Sequence, residues 1–462
     1  MRSPAANAET RLSLWSHVRR YAVPPSMIES ATARRLVGDW AGACAAARVD
    51  VDLDLRTVAR THGRDLAARV RDDLRHLAPD LLRWHLPRIA PDGLLRPGLT
   101  VALARYPLAA PGGVTPHLVV RTPPAWADAA QRISLALWSG TGPGTHPHPR
   151  PDRRFRLDLH RHLWDARRAG DLRHRCGADR LDAEAVVDAD LVDPSGRVAA
   201  DQRTAALADR GCAVGRWAAE ATTLLRADGP GHGPVVVRLG ARERLLLDVS
   251  PDGTRLRPAH PSAAPPGTPV LPDAATWLPP DLELLRRGLL DVERLHPLVA
   301  AALAPDRTRT PDAPVPGPVV TPVVCRGARH RIGVVDGLLT ALDHDPAEIR
   351  REELLAALTG TPLPCLRAVD RAYRHPEGLA DVRGRLDHGD TAGALAVVEA
   401  LLGPDALLRA GDLRTELETA ASRRVTYGLF RAGLAGWGPG RSDADHTRKR
   451  DRRGHPRHAL AR

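Results

Sequence analysis

The stretch PVVCRGARHRIGVVDGLLTALDHDPAEIRREELLAAL, residues 322–358, joins a β-hairpin pattern directly to a well-marked helix start. Its apolar runs are separated by Asp336-Gly337, a dipeptide that readily supplies the positive φ angles of a tight hairpin turn. Asp345 then precedes Pro346, and this pair suits the cap and the first position of a helix. The stretch therefore predicts a hairpin followed by a helix that begins at Pro346.

Outward from this stretch, helical periodicity dominates both ends of the chain and short apolar runs dominate the middle. The pattern predicts an α+β fold with a helical N-terminal unit, a central, mostly antiparallel sheet of scattered hairpins with helices, and a helical C-terminal unit. The predicted segments are a flexible N-terminal segment at 1–25, a helical unit at 26–90, a central α+β region at 91–345 with loops at 139–154, 260–280 and 304–318, a helical unit at 346–433 and a disordered basic tail at 434–462.

A short motif occurs twice in the helical regions. Gly38-Asp39-x-x-Gly42 and Gly389-Asp390-x-x-Gly393 place the same residues at the same spacing. Glycine adopts the left-handed conformation that ends one helix, and aspartate caps the next helix. Each motif therefore predicts a tight corner between two helices, and no fixed period makes the pair a repeat array.

Composition limits the functions that this chain can have. At 462 residues it suits two to four units, and the scarcity of lysine and asparagine beside abundant arginine is typical of proteins from high-GC bacteria. The net charge of +12 includes a surplus of five in residues 441–462, so the rest of the chain is only weakly basic. Lys449 is the only lysine, which excludes a P-loop, a kinase lysine and a Schiff-base lysine for pyridoxal phosphate. We expect no cofactor.

The five cysteines are far apart and never form a CxxC pair: Cys44, Cys176, Cys212, Cys325 and Cys365. Their odd number and wide spacing fit reduced thiols that fill apolar sites, as in cytosolic proteins. The sequence has no long apolar segment and no secretory signal pattern. We therefore expect a cytoplasmic protein with no membrane contact.

Two groups of residues are candidates for chemistry. His330, Asp336 and His344 crowd the hairpin, and histidine beside carboxylates can act in acid–base catalysis. The default interpretation is that Asp336 serves the turn and that both histidines are exposed. Asp158, His160 and His162 would share one face of a strand as a metal site, but the pattern over 155–168 favours a helix, on which they diverge.

No catalytic motif is complete, so the first functional prediction is a non-enzymatic adaptor or assembly subunit that binds another protein. The first alternative is a DNA-associated regulator, because residues 57–77 resemble a helix-turn-helix and the tail is basic. The helix that would face nucleic acid carries both acidic and basic residues, which weakens that alternative. The second alternative is a metal-dependent or hydrolytic enzyme centred on the histidine-rich segments.

Overall fold

The computed structural model of the chain describes residues 4–107, 114–128, 131–140, 146–178, 204–229, 231–240, 243–250, 253–258, 265–305, 321–325, 328–335, 338–341, 344–359, 364–367, 378–402, 408 and 410–434. The chain divides into two compact units, Met1–Arg309 with Trp437–Arg462 (unit 1) and Thr310–Gly436 (unit 2). Helices and several small sheets make up the described residues, so the predicted α+β class is confirmed. The predicted basic tail lies outside the described residues apart from residue 434.

The N-terminal segment is helical, which corrects the prediction of a flexible lead-in over residues 1–25. Helix α1 spans Pro4–His17, and a π-helical turn continues it over Val18–Ala22. The side chains of Val18 and Ala22 are completely buried in the core of unit 1. Pro25, the last residue of the segment predicted to be flexible, instead starts α2 (Pro25–Leu36), because proline fits the first helical position without losing a hydrogen bond.

The first half of unit 1 combines the predicted helices with a mixed sheet. The helices are α3 (Trp40–Ala46), α4 (Leu55–His62), α5 (Arg64–Arg75) and α6 (Pro79–His85). The strands are β1 (Val49–Val51), β2 (Arg88–Ile89), β3 (Leu94–Leu95), β4 (Thr100–Arg105), β5 (His117–Arg121) and β6 (Ile133–Trp138). Strands β4, β5 and β6 pair antiparallel, and β1 joins β6 in parallel. Because β4 and β5 bury apolar side chains on both faces, this sheet lies inside the core.

The second half of unit 1 departs from one helix prediction. The helix expected over 155–168 is a series of 3₁₀ turns at Leu157–Leu159, Arg161–Leu163 and Ala166–Asp171. Further along, the stretch 280–303 is divided into two α-helices, because Gly288 adopts a φ of +65° and Pro297 starts a new helix. The remaining elements are α7 (Leu172–Arg175), α8 (Trp217–Asp228), β7 (Gly233–Arg238), β8 (Arg244–Ser250), β9 (Gly253–Pro258), α9 (Asp273–Thr276), α10 (Pro280–Arg286) and α11 (Pro297–Leu303).

The predicted hairpin forms a sheet of its own in unit 2. Strands β10 (Thr321–Cys325), β11 (Ala328–Val335) and β12 (Leu338–Ala341) pair antiparallel in sequence order. Helix α12 (Pro346–Thr359) begins where the sequence predicts, and the Ala347 amide donates to Asp345 Oδ1 over 3.0 Å. One helical turn follows at 364–367, and then come α13 (Leu379–Asp387), α14 (Thr391–Leu402) and α15 (Asp412–Arg431).

Both predicted Gly-Asp corners are confirmed, and they are built alike. Gly38 and Gly389 have φ angles of +81° and +78°, in the left-handed region that glycine tolerates. Asp39 and Asp390 each cap the next helix by accepting from an amide three residues on, at 2.8 and 3.3 Å. The other carboxylate oxygen of each aspartate accepts from an arginine five residues earlier, at 3.0 Å in both corners.

In the described part of the chain, none of the helices combines the length and the apolar character that crossing a bilayer requires.

Candidate metal centre

Three side chains that can bind a metal ion converge in unit 2. Cys325 is the last residue of β10, His344 lies just before α12, and Cys365 lies in the helical turn at 364–367. One ligand atom from each, two sulfurs and an imidazole nitrogen, all lie within 4.8 Å of one another. Among the described residues, this is the only group of three or more such side chains. The hairpin, the start of the helix and the turn therefore build one site from distant parts of the sequence.

Both thiols of this site are shielded from water. Cys325 is completely buried and Cys365 is 2% exposed, and Val323 and Ile349 pack around them. Burial, together with the neighbouring Cys325 thiol, raises the pKa of Cys365 to about 11. A thiolate is therefore costly here without a nearby positive charge, and a bound metal cation would supply that charge.

The imidazole of His344 lies near a carboxylate. Its Nδ1 atom lies 3.7 Å from Glu348 Oε2, which is within ion-pair range but longer than a hydrogen bond. Its Nε2 atom is buried and has no hydrogen-bond partner within the described part of the chain. Histidines that bind metals commonly direct one ring nitrogen to the metal and the other to a carboxylate. The position of Glu348 near Nδ1, with Nε2 unpartnered, is compatible with that arrangement.

The three ligand atoms select the class of metal. Two thiolates and one imidazole are soft ligands that suit zinc, copper(I) or iron–sulfur chemistry and do not suit magnesium or calcium. Tetrahedral zinc has Zn–S bonds of about 2.3 Å, which places two sulfurs about 3.8 Å apart. All three ligand atoms lie within 4.8 Å of one another, a bound that is compatible with this separation.

The candidate acid–base group of the hairpin is only partly assembled. The rings of His330 and His344 stack with centroids 4.0 Å apart and planes inclined by 15°. Asp336, the third member, lies outside the described residues. His344 belongs to the group of three metal-binding side chains, and His330 stacks on its ring. The sequence prediction that both are exposed is wrong for His344, whose side chain is 6% exposed.

Asp158, His160 and His162 do not form a metal site. Asp158 pairs with Arg105 and Arg156 at 3.0 and 2.8 Å. Both nitrogens of the His160 ring are engaged, Nδ1 with the Arg156 carbonyl at 2.9 Å and Nε2 with Glu220 Oε2 at 3.1 Å. Burial holds the pKa of His162 well below its usual value. The 3₁₀ turns place these side chains in a structural network, where His160 has no free lone pair for a metal.

Unit 1 also contains a buried network that the sequence did not predict. Trp84 Nε1 donates to Asp281 Oδ2 over 2.7 Å, and His296 Nε2 pairs with Asp80 Oδ2 over 2.9 Å. The other His296 nitrogen accepts from the Leu298 amide and caps α11. Since capping uses that nitrogen, His296 is not available as a general base. This network joins α6 to α10 and α11 and has a structural role.

The two cysteines of the candidate metal centre were missed because all five cysteines were interpreted as apolar fillers. For Cys44 that interpretation fits, since burial raises its pKa to about 12 and it belongs to no group of three or more possible ligands among the described residues. The available signal was Cys325 and His330 on neighbouring strands of one hairpin, five residues apart. Compared with family models, with curated proteins and with solved structures, the chain matches none, so its function is inferred from the geometry of this centre.

Proposed function

We propose that unit 2 is a zinc-binding module in which Cys325, His344 and Cys365 hold one zinc ion. The observation that carries the proposal is the convergence of these three ligand atoms within 4.8 Å, two of them on almost fully buried thiols. Zinc is favoured over other soft-ligand metals because it needs no redox partner and binds mixed cysteine and histidine sets in tetrahedral geometry. The ion would join β10, the residue before α12 and the turn at 364–367.

The size of the surrounding core supports a structural role for the ion. Around the site, the described apolar core consists of Cys325 and Cys365, with Val323 and Ile349 packed against them. Small modules that bury little apolar surface usually depend on a metal or on disulfides. Both cysteines are free thiols in this structure. Zinc binding would therefore supply folding free energy to this part of unit 2.

For the whole chain we propose the role of an adaptor or assembly subunit that uses this module. Helix α12, which carries the carboxylate behind His344, also exposes three leucines: Leu354, Leu355 and Leu358, at 64%, 50% and 84%. Neighbouring exposed leucines on one helix are typical of a surface that binds another protein. The alternative, a DNA-associated regulator that uses residues 57–77, remains a prediction. The exposed side of α5 carries both Asp65 and Arg69, and this mixed charge does not favour binding to phosphate.

Native mass spectrometry of the full chain, expressed with zinc in the medium, tests the metal site. We expect one bound zinc in the wild type and none in Cys325→Ser or Cys365→Ser. Cys44→Ser and Cys212→Ser remove buried thiols of unit 1 and are matched controls that should keep the ion. A wild-type protein without zinc, or equal zinc content in all four variants, would show that the proposal is wrong.

The adaptor role has a separate test. A partner that binds the zinc-loaded chain should be lost with Leu354→Glu and Leu358→Glu. Leu289→Glu is the matched control, since Leu289 is an exposed leucine of unit 1 at 50% exposure. A partner that is retained by the α12 variants and lost with the control would contradict the assignment of this surface.

A further inference from the structure

We propose that His330 is the fourth zinc ligand, so that the ion lies in a closed site of two cysteines and two histidines. This inference rests on the proposed zinc site and goes further, because the fourth position decides what the metal can do. A zinc ion with three protein ligands keeps a position for water or substrate and can catalyse a reaction. A zinc ion with four protein ligands has no such position and is structural.

Strand register brings His330 to the metal side of the hairpin. Val323 on β10 faces His330 on β11, and Cys325 faces Ala328. Residues that face each other across a strand pair share one side of the sheet, as do residues two apart on one strand. Cys325 and His330 are therefore diagonal neighbours on the same side. This side also carries Val323, which packs against the buried thiols.

Two stacked imidazole rings each carry a nitrogen without a partner. Nδ1 of His330 and Nε2 of His344 are both buried, and neither has a hydrogen-bond partner among the residues that the structure describes. A buried polar atom without a hydrogen-bond partner destabilises a fold. Two such atoms on stacked rings need an explanation, and a shared metal ion satisfies both. The other nitrogen of His344, Nδ1, lies near Glu348, so the two nitrogens left for a metal are Nε2 of His344 and Nδ1 of His330.

The distances allow both rings to bind one ion. Two nitrogens on a tetrahedral zinc ion lie about 3.3 Å apart, given Zn–N bonds of about 2.0–2.1 Å. The ring centroids are 4.0 Å apart, which is close enough for two imidazoles to share one ion. The ring planes are inclined by only 15°, and His330 lies outside the group whose ligand atoms are within 4.8 Å of one another, so the His330 ring must turn to bring Nδ1 to the ion.

The first test is X-ray absorption at the zinc edge of the wild-type, full-length chain loaded with zinc. We expect two sulfur and two nitrogen neighbours, with the multiple-scattering pattern of two imidazoles. A shell of two sulfurs, one imidazole and one water oxygen would overturn the inference while leaving the zinc site intact. An absence of zinc would overturn both proposals. Because this measurement uses the native chain, it does not depend on the folding of any variant.

The second test compares two substitutions at one position by competition with a chelator. His330→Phe keeps an aromatic ring against His344 but removes the ligand, and we expect zinc affinity to fall more than about 100-fold, beyond the usual effect of a supporting residue. His330→Cys supplies a different ligand and should restore most of the affinity. A fall of less than about 10-fold in His330→Phe would show that the ring only packs against the site.

Discussion

Acid should destabilise unit 1 by protonating one buried carboxylate, that of Glu220 on α8. The side chain is 4% exposed. Its carboxylate accepts hydrogen bonds from Arg175 Nε and Nη2, each over 2.6 Å, and from His160 Nε2 over 3.1 Å. Burial alone would raise the pKa of Glu220, but the hydrogen bonds from His160 and Arg175 outweigh it and lower the pKa to about 2. Protonation of this group therefore breaks a network that joins α8 to the 3₁₀ turns.

The sign and the size of the effect follow from linkage. The carboxyl pKa is about 4.5 in the unfolded chain and about 2 in the folded protein, so the unfolded chain takes up the proton first as the pH falls. The stabilisation is fully present above pH 4.5 and is lost as the pH falls toward 2. At about 1.4 kcal/mol per pKa unit, the whole contribution is about 3 kcal/mol, and about 2 kcal/mol of it is lost by pH 3.

Urea unfolding followed by tryptophan fluorescence, at a series of pH values between about 6 and about 3, measures this contribution. The signal reports on unit 1, because the sequence of Thr310–Gly436 contains no tryptophan. Glu220→Gln should lower the free energy of unfolding at neutral pH by about 3 kcal/mol, the scale expected when one partner of a buried ion pair is removed. It should also flatten the acid dependence by about 2 kcal/mol.

Glu243→Gln provides the matched control. Glu243 also pairs with an arginine, Arg210, at 2.7 Å, but its side chain is 49% exposed. An exposed ion pair contributes little, so this variant should keep nearly the wild-type acid dependence. If Glu220→Gln and the wild type lose equal stability between pH 6 and pH 3, the assignment of the acid transition to Glu220 is wrong.

Two further predictions concern unit 2. Gly393→Ala would place a Cβ 2.1 Å from the carboxylate oxygen of Asp390 that anchors the second corner, so we expect the free energy of unfolding to fall by about 1 kcal/mol or more as the cap is displaced. Gly428→Ala on α15 would meet no neighbouring atom within 4 Å, and we expect it to raise the free energy of unfolding by about 0.5–1 kcal/mol. Chemical unfolding followed by circular dichroism measures both changes. Equal effects of the two changes would contradict this account of the corner. Glu348→Gln should lower zinc affinity about 10–100-fold in chelator competition, with Glu399→Gln on α14 as the control, and unchanged affinity would show that Glu348 does not orient His344.

Buried ion pairs give arginines of unit 1 a structural role that the composition alone did not show. Arg161 and Arg167 pair with Asp73 and Asp165, and Asp165 is 1% exposed. Burial opposes ionisation of Asp165, but hydrogen bonds from Arg167 and Arg161 more than offset it and lower the pKa of the carboxyl. These arginines are engaged in holding the 3₁₀ turns against α5. Their positive charge is thus not evidence for binding nucleic acid.

The sequence by itself determined the features that depend on neighbouring residues. The start of α12 at Pro346, the strands of the hairpin and the corners at Gly38 and Gly389 were all predicted, because capping, turn formation and positive φ are decided within a few residues. Where local signals were weak, prediction failed: the segment at 157–171 forms 3₁₀ turns because its arginines and aspartates pair with distant elements.

Only the tertiary structure decided the candidate site. Cys325 and Cys365 are forty residues apart, and no sequence motif links them to each other. The hairpin register and the path of the chain after α12 bring them to within 4.8 Å of each other and of His344. Their chemistry depends on long-range contacts, since a metal site is defined by where ligand atoms meet in space and not by their separation along the chain.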